Sequence, residues 1–121
     1  MKQTGRSNED QKARALTAAA LVAAKSLGLA PAETARVIGV SEGAMKSFRD
    51  GSRVVDGANG EAEYADSLVK VVGRLKTLLG PEETKWRSWL RSPVPGLEGK
   101  PIEILMRRGG IVSLREFLER N

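Results

Sequence analysis

Histidine and cysteine are both absent from this 121-residue chain, and only five side chains are aromatic: two Trp, two Phe and one Tyr. Without Cys no disulfide framework can form, and without Cys and His the usual zinc ligand sets are gone. A general base poised near neutral pH would have to be a strongly shifted Lys or carboxylate, and nucleophilic triads lose their usual partner. Neither a GxxxxGK[ST] phosphate loop nor a GxGxxG turn occurs. The expectation is a protein that is not an enzyme, takes no metal or cofactor and has no small-molecule substrate. Long apolar runs are missing as well. The longest, Ala18–Ala24, is too short to cross a bilayer, and the N-terminal MKQTGRSNEDQKAR lacks the apolar core of a secretion signal. A cytoplasmic location without membrane contact follows as the default expectation.

What is present fits an ordinary soluble protein: 40% apolar and 29% charged residues, enough for one domain or two very small helical lobes sharing a core. The net charge is +5. Nine basic and six acidic side chains fall in residues 1–56, and eleven and nine in residues 57–121, so the excess is spread along the chain. Spread charge permits nucleic-acid binding without requiring it, because phosphate attraction needs a basic face.

The pattern along the chain is helical throughout, and no segment alternates as a strand. A first helix is expected from Asn8, with Gln11 completing a capping box, Leu16, Ala20, Ala23 and Leu27 inward, and Gly28 as its stop. Residues 31–50, PAETARVIGVSEGAMKSFRD, carry more specific punctuation. Pro31 suits a helix start, Ala35 is small where two helices cross, Gly39 suits a tight turn, and Ser41 caps the next helix. Ile38, Met45 and Phe48 would point inward. The segment is similar to a helix-turn-helix of the Xre or lambda-repressor kind, with Ser41–Asp50 as recognition helix. On that reading Ser41, Glu42, Gly43, Lys46 and Ser47 face the groove, and Arg49 and Arg53 lie near phosphate. The bland alternative is a pair of bundle helices.

Residues 51–60 hold three glycines and read as a linker. From Glu61 to Leu79 a long helix places Tyr64, Leu68, Val71, Leu75 and Leu78 on one stripe, widened by Ala65, Val72 and Leu79, serving either as core or as a homodimer contact. A helix opening at Pro81 carries Trp86 and Trp89 at i, i+3 and ends before Ser92-Pro93; Pro101–Arg108 and Ile111–Arg120 complete the set. The stretch from Thr84 to Gly110 looks like a compact docking unit. Large rings, however, more often fill a core than an interface, which makes Trp86, Trp89, Leu90, Leu97, Gly99 and Pro101 scaffold.

The order of the C-terminal half, Trp89-Leu90, Leu97-Glu98-Gly99-Lys100-Pro101, Leu105, Gly109-Gly110, Val112 and Leu118, resembles the toxin-binding domain of Xre/MbcA/ParS antitoxins. In that family an Xre-type helix-turn-helix commonly comes first, as it does here, and the resemblance spans about residues 10–121. It implies an all-α fold with a DNA-binding domain over residues 8–55 and a toxin-binding domain over residues 61–121. It also implies a RES-domain toxin that consumes NAD as partner, occlusion of that toxin's pocket, operator DNA as second partner, and a homodimer that represses its own operon. Trp89, Leu90, Leu97, Gly99 and Pro101 would build the fold, while Arg107, Arg108, Arg115, Glu119, Arg120 and Asn121 would approach the toxin. Many members continue past the last helix into a Gly-containing tail; here the sequence reads Leu118-Glu119-Arg120-Asn121, so either the helix end blocks the toxin or the mechanism differs. The rival reading is a stand-alone helix-turn-helix regulator with a helical dimerisation domain.

Overall fold

Glycine and proline mark most of the helix boundaries. A computed structural model describes residues 3–120, with side chains from residue 9 onward. The described residues form seven helices and no strand: α1 (Gln3–Ser26), α2 (Pro31–Ile38), α3 (Glu42–Asp50), α4 (Glu61–Leu79), α5 (Glu83–Leu90), α6 (Pro101–Leu105) and α7 (Gly110–Arg120). The fold is all-α, as the sequence implies.

α4 is the shared spine. It packs chiefly against α1 and α7, and also touches α2 and α5. Ala65, Leu68, Val71 and Leu75 are fully buried along it, and they belong to one continuous core with Leu27, Ile38, Leu90, Leu105, Ile111 and Leu114. Each such Leu or Val contributes about 1.5–3 kcal/mol by leaving water. Most of the expected stripe is therefore covered. Leu78 is the exception, at 44% exposure, with Leu79 packed against the core beside it. The expected steps of four and three average 3.5 residues, whereas a straight helix turns every 3.6, so the apolar face rotates by about 20° per heptad and reaches Leu79 in the last turn.

Several boundaries differ from expectation. α1 begins at Gln3, so Asn8 lies inside the helix instead of capping it. Only Gly5 opposes that extension, and its cost of about 1 kcal/mol is tolerable in a long helix. α5 begins at Glu83, not Pro81: Gly80 turns the chain with φ +90°, Glu82 holds extended backbone, and the Trp86 indole Nε1 donates to the Gly80 carbonyl at 2.8 Å. α6 stops at Leu105, because Arg107 N–H bonds to Ile104 O and Gly110 N–H to Arg107 O in tight turns. α7 in turn starts at Gly110 rather than Ile111.

The α2–α3 turn follows the expected chemistry. Gly39 has φ +89°, a left-handed conformation that suits glycine, and its N–H closes on Ala35 O. The Ser41 hydroxyl accepts from Ala44 N–H at 3.3 Å, capping α3. Ala35, Ile38, Met45 and Phe48 are buried.

Residues 51–60 are irregular, as expected of a linker, yet they are tied down. Val55 is buried and its N–H donates to the Thr17 hydroxyl of α1 at 2.9 Å. Arg14 donates to the Gly51 carbonyl at 3.0 Å, and Asp56 N–H donates to the carboxylate of Glu61 at 3.0 Å.

Two glycines give a direct test of this packing. A Cβ at Gly110 would collide with the Ile104 backbone carbonyl, whereas one at Gly73 in mid-α4 meets nothing within 4 Å. Gly110→Ala is expected to cost about 2 kcal/mol or more as overpacking against backbone, and Gly73→Ala to gain about 0.5–1 kcal/mol in helix propensity. Urea melts of the two variants read both signs.

Candidate functional site

The C-terminal unit is a frame of apolar side chains that presents charged ends. Trp86 is 5% exposed and Leu90 fully buried; Trp89 and Leu97 are half-buried against the same core. The two rings and Leu90 therefore face the core from α5. Pro101 is buried at the first position of α6, and the Glu103 carboxylate reaches back to accept from Lys100 N–H at 3.0 Å. Gly99 sits in the turn just before, with positive φ. Arg74 of α4 donates to the Leu118 carbonyl at 3.3 Å, pinning the last turn of α7 to the spine.

The residues expected to approach a toxin fall into two groups. Arg107 and Arg108 are exposed on the turn that precedes α7, where Arg108 donates to the Asn59 carbonyl at 3.4 Å. Arg115, Glu119 and Arg120 lie on the second half of α7. There Arg115 is half-buried and loosely paired with Glu119 at 3.8 Å and Glu116 at 3.9 Å. An eleven-residue helix spans about 16 Å; with Arg115 at its midpoint and Glu119 and Arg120 in its last turn, the expected residues are strung along α7 rather than gathered in one patch. Asn121 lies outside the described residues.

The second candidate surface is α3. Glu42, Lys46 and Arg49, at i, i+4 and i+7, share one exposed helix face. Gly43 is also exposed. Two members of the expected set have local work as well: Ser41 is the cap, and half-buried Ser47 offers its carbonyl to Arg53 N–H at 3.2 Å. Arg53 lies with its guanidinium 5.1 Å from the Phe48 ring centroid and pairs with Glu61 at 2.8 Å. Glu61, 2% exposed, was not singled out by the sequence reading. A carboxylate at the start of α4 is stabilised there by the helix dipole, the Asp56 N–H and the Arg53 charge together.

Two further ties link the halves of the chain. Arg87 donates to the Ser26 carbonyl at 3.0 Å, and Arg91 pairs with Glu33 of α2 at 2.9 Å. Burial alone would raise the Glu33 carboxyl. The Ala30 N–H and the hydrogen bond and charge of Arg91 outweigh it and hold the pKa below the ordinary 4.5. A depressed folded pKa adds stability that is present above the unfolded value and lost as pH falls through the folded one.

An apolar groove of about 380 Å³ runs between α1 and α4, lined by Ala18, Ala19, Val22, Ala23, Val69 and Val72. Val22 stands at its edge, 65% exposed. Among the described residues no group of His, Cys, Asp and Glu could hold a metal ion, and no helix is long and apolar enough to cross a membrane.

Glu33→Gln tests the α2–α5 tie. It is expected to lower stability by roughly 0.5–1.5 kcal/mol at neutral pH, with the gap to wild type closing as pH falls below the ordinary carboxylate range. Denaturant melts across an acid pH series check this.

Comparison with known proteins bears on the C-terminal half. Residues 74–120 match the family model described as the antitoxin Xre/MbcA/ParS C-terminal toxin-binding domain. The match starts within α4 and leaves the α2–α3 turn outside it. No curated protein matches the chain. Trp86, Leu90, Leu97 and Pro101 lie wholly inside the matched stretch, and through residues 74–120 the chain is similar to the C-terminal toxin-binding domain of the Xre/MbcA/ParS antitoxins.

Proposed function

We propose that this protein is the antitoxin of a type II toxin–antitoxin system that neutralises a NAD-consuming RES-domain toxin in the cytoplasm, by binding it and blocking its active site, and that it represses its own operon as a DNA-binding homodimer. The observation that carries the reading is the family match over residues 74–120, which coincides with the buried tryptophan frame and the charged ends of α7. The protein acts by binding and not by catalysis. Its contact with the toxin is made by Arg107 and Arg108 before α7, by Arg115 at its middle and by Glu119 and Arg120 at its end, with Asn121 beyond. Residues 61–121 serve as the toxin-binding domain and residues 8–55 as the DNA-binding domain.

The DNA-binding part rests on the geometry of α2 and α3: the glycine turn, the serine cap, the apolar seam, and the outward face of Glu42, Lys46 and Arg49. Ser41, Ser47 and Arg53 border that face. A single face of this size with one carboxylate binds weakly alone, and a dimer that presents two of them compensates by avidity. The α1–α4 groove supports an isologous dimer, because it offers a small-residue hole beside the Val22 knob, and an interface around a two-fold axis needs both on one surface. A stand-alone regulator would share the DNA predictions but not the first of the following ones.

Excess protein is expected to abolish NAD turnover by its cognate toxin; full turnover in excess protein contradicts the proposal. Lys46→Ala is expected to weaken operator binding, and wild-type binding to fall steeply with salt. Val22→Asp is expected to shift the protein from dimer to monomer in sedimentation while leaving its helical content unchanged.

A further inference from the structure

Arg14, on α1, has no part in the readings above, yet it shares a cavity with two residues that do. The cavity, about 230 Å³, lies beside the C-terminal end of α3; Arg14, Arg49 and Arg53 line it over an apolar floor that includes Leu21, Phe48 and Val54. Three guanidinium groups around one small hollow call for an anion unless something already neutralises them. Arg53 is neutralised by Glu61 at 2.8 Å. The other two are not. Arg14 spends one N–H on the Gly51 carbonyl, which carries no net charge, and keeps four donors of its five. The Arg49 side chain makes no hydrogen bond or ion pair among the described residues. The nearest carboxylate in sequence, Asp50, is turned to Ser52, whose side chain and N–H, the latter at 2.9 Å, hold its pKa below the ordinary value. Thr17, also in the lining, is spent on Ala13 O and Val55 N–H.

The hollow is also held ready. Arg14 is fixed by Gly51, and Arg53 by Glu61, the Phe48 ring and its own N–H bond to Ser47 O. Two long side chains have thus lost their rotamer freedom before any ligand arrives, which removes part of the ordering cost of binding. Arg49 continues the exposed face of Glu42 and Lys46, so the hollow opens at one end of the surface assigned to DNA. Arginine forks suit phosphate oxygens better than point charges do.

We propose that Arg14, Arg49 and Arg53 form a phosphate seat at the end of α3 that grips a backbone phosphate of the bound duplex, with Arg14 as the contact supplied by α1. This rests on the DNA-binding reading and assigns it one more residue, on a helix outside the helix-turn-helix.

The test uses the full chain, a short labelled operator duplex and a salt series, with Arg14→Gln, Arg14→Lys and Lys46→Ala alongside wild type. Arg14→Gln is expected to weaken binding roughly three- to ten-fold and to reduce the salt slope by about one. Arg14→Lys should recover most of the slope, and thermal melts of both variants confirm that they are folded. If Lys46→Ala weakens binding while Arg14→Gln changes neither affinity nor slope, the seat is wrong and the DNA reading stands. If wild type binds no duplex, the DNA reading fails, and inorganic phosphate decides the seat: arginine Nε–H resonances that move with phosphate, but not with chloride at equal ionic strength, support it as a site for free phosphate. Unmoved resonances overturn it.

Discussion

Everything in this molecule depends on α4 being covered from more than one side. Neither half of the chain has enough apolar surface for a core of its own: the helices before α4 bring mainly alanines and a few large side chains, and those after it are short. Domains this small are marginal because most of their surface stays in water. Packing α1 and α2 on one part of α4, and α5 and α7 on another, lets a single row of Ala65, Leu68, Val71 and Leu75 serve both halves. The polar ties sit at the ends of that spine. Glu61 gathers Arg53 and the Asp56 N–H at its start, and Arg74 holds the last turn of α7 near its end.

A shared core has a consequence for function. The exposed face of α3 and the charged ends of α7 ride on one rigid body, so each surface is positioned by packing that the other half helps to supply. The Arg91–Glu33 and Arg87–Ser26 contacts reinforce this by joining the tryptophan helix to α2 and to the end of α1. Stability and binding are therefore separable only on the outer faces. A change in the frame of Trp86, Leu90 or Pro101 disturbs the fold, whereas a change at Lys46 or Arg120 alters a surface alone.

The helices, the burial of Trp86 and the glycine turn at Gly39 were legible in the sequence because each is a local pattern: a period near 3.6, a ring too large to leave wet, a residue suited to positive φ. The long helix from Glu61 to Leu79 came out with both ends correct for the same reason. The misses are of a different kind. Glu61 reads as an ordinary acidic first-turn residue, and its burial comes from an arginine eight positions upstream folding back across Phe48. Arg14 reads as a solvated charge until α1 is laid against the end of α3. Gly110 looks like a helix stop, and only the approach of the Ile104 carbonyl makes its missing side chain a requirement. Leu78 failed because a stripe drawn at period 3.5 drifts off a helix of period 3.6. Local rules do not report which distant segment arrives at a given face.

The central claim is that one core presents two surfaces, with toxin recognition confined to α7 and its flanking turn. Calorimetric titration of the cognate toxin with full-length Lys46→Ala and with the double variant Arg115→Ala/Arg120→Ala tests it most directly. The account predicts wild-type toxin affinity for the first and a loss of at least about 1.4 kcal/mol, ten-fold in Kd, for the second. Unchanged affinity in the double variant, or an equal loss in Lys46→Ala, would contradict it.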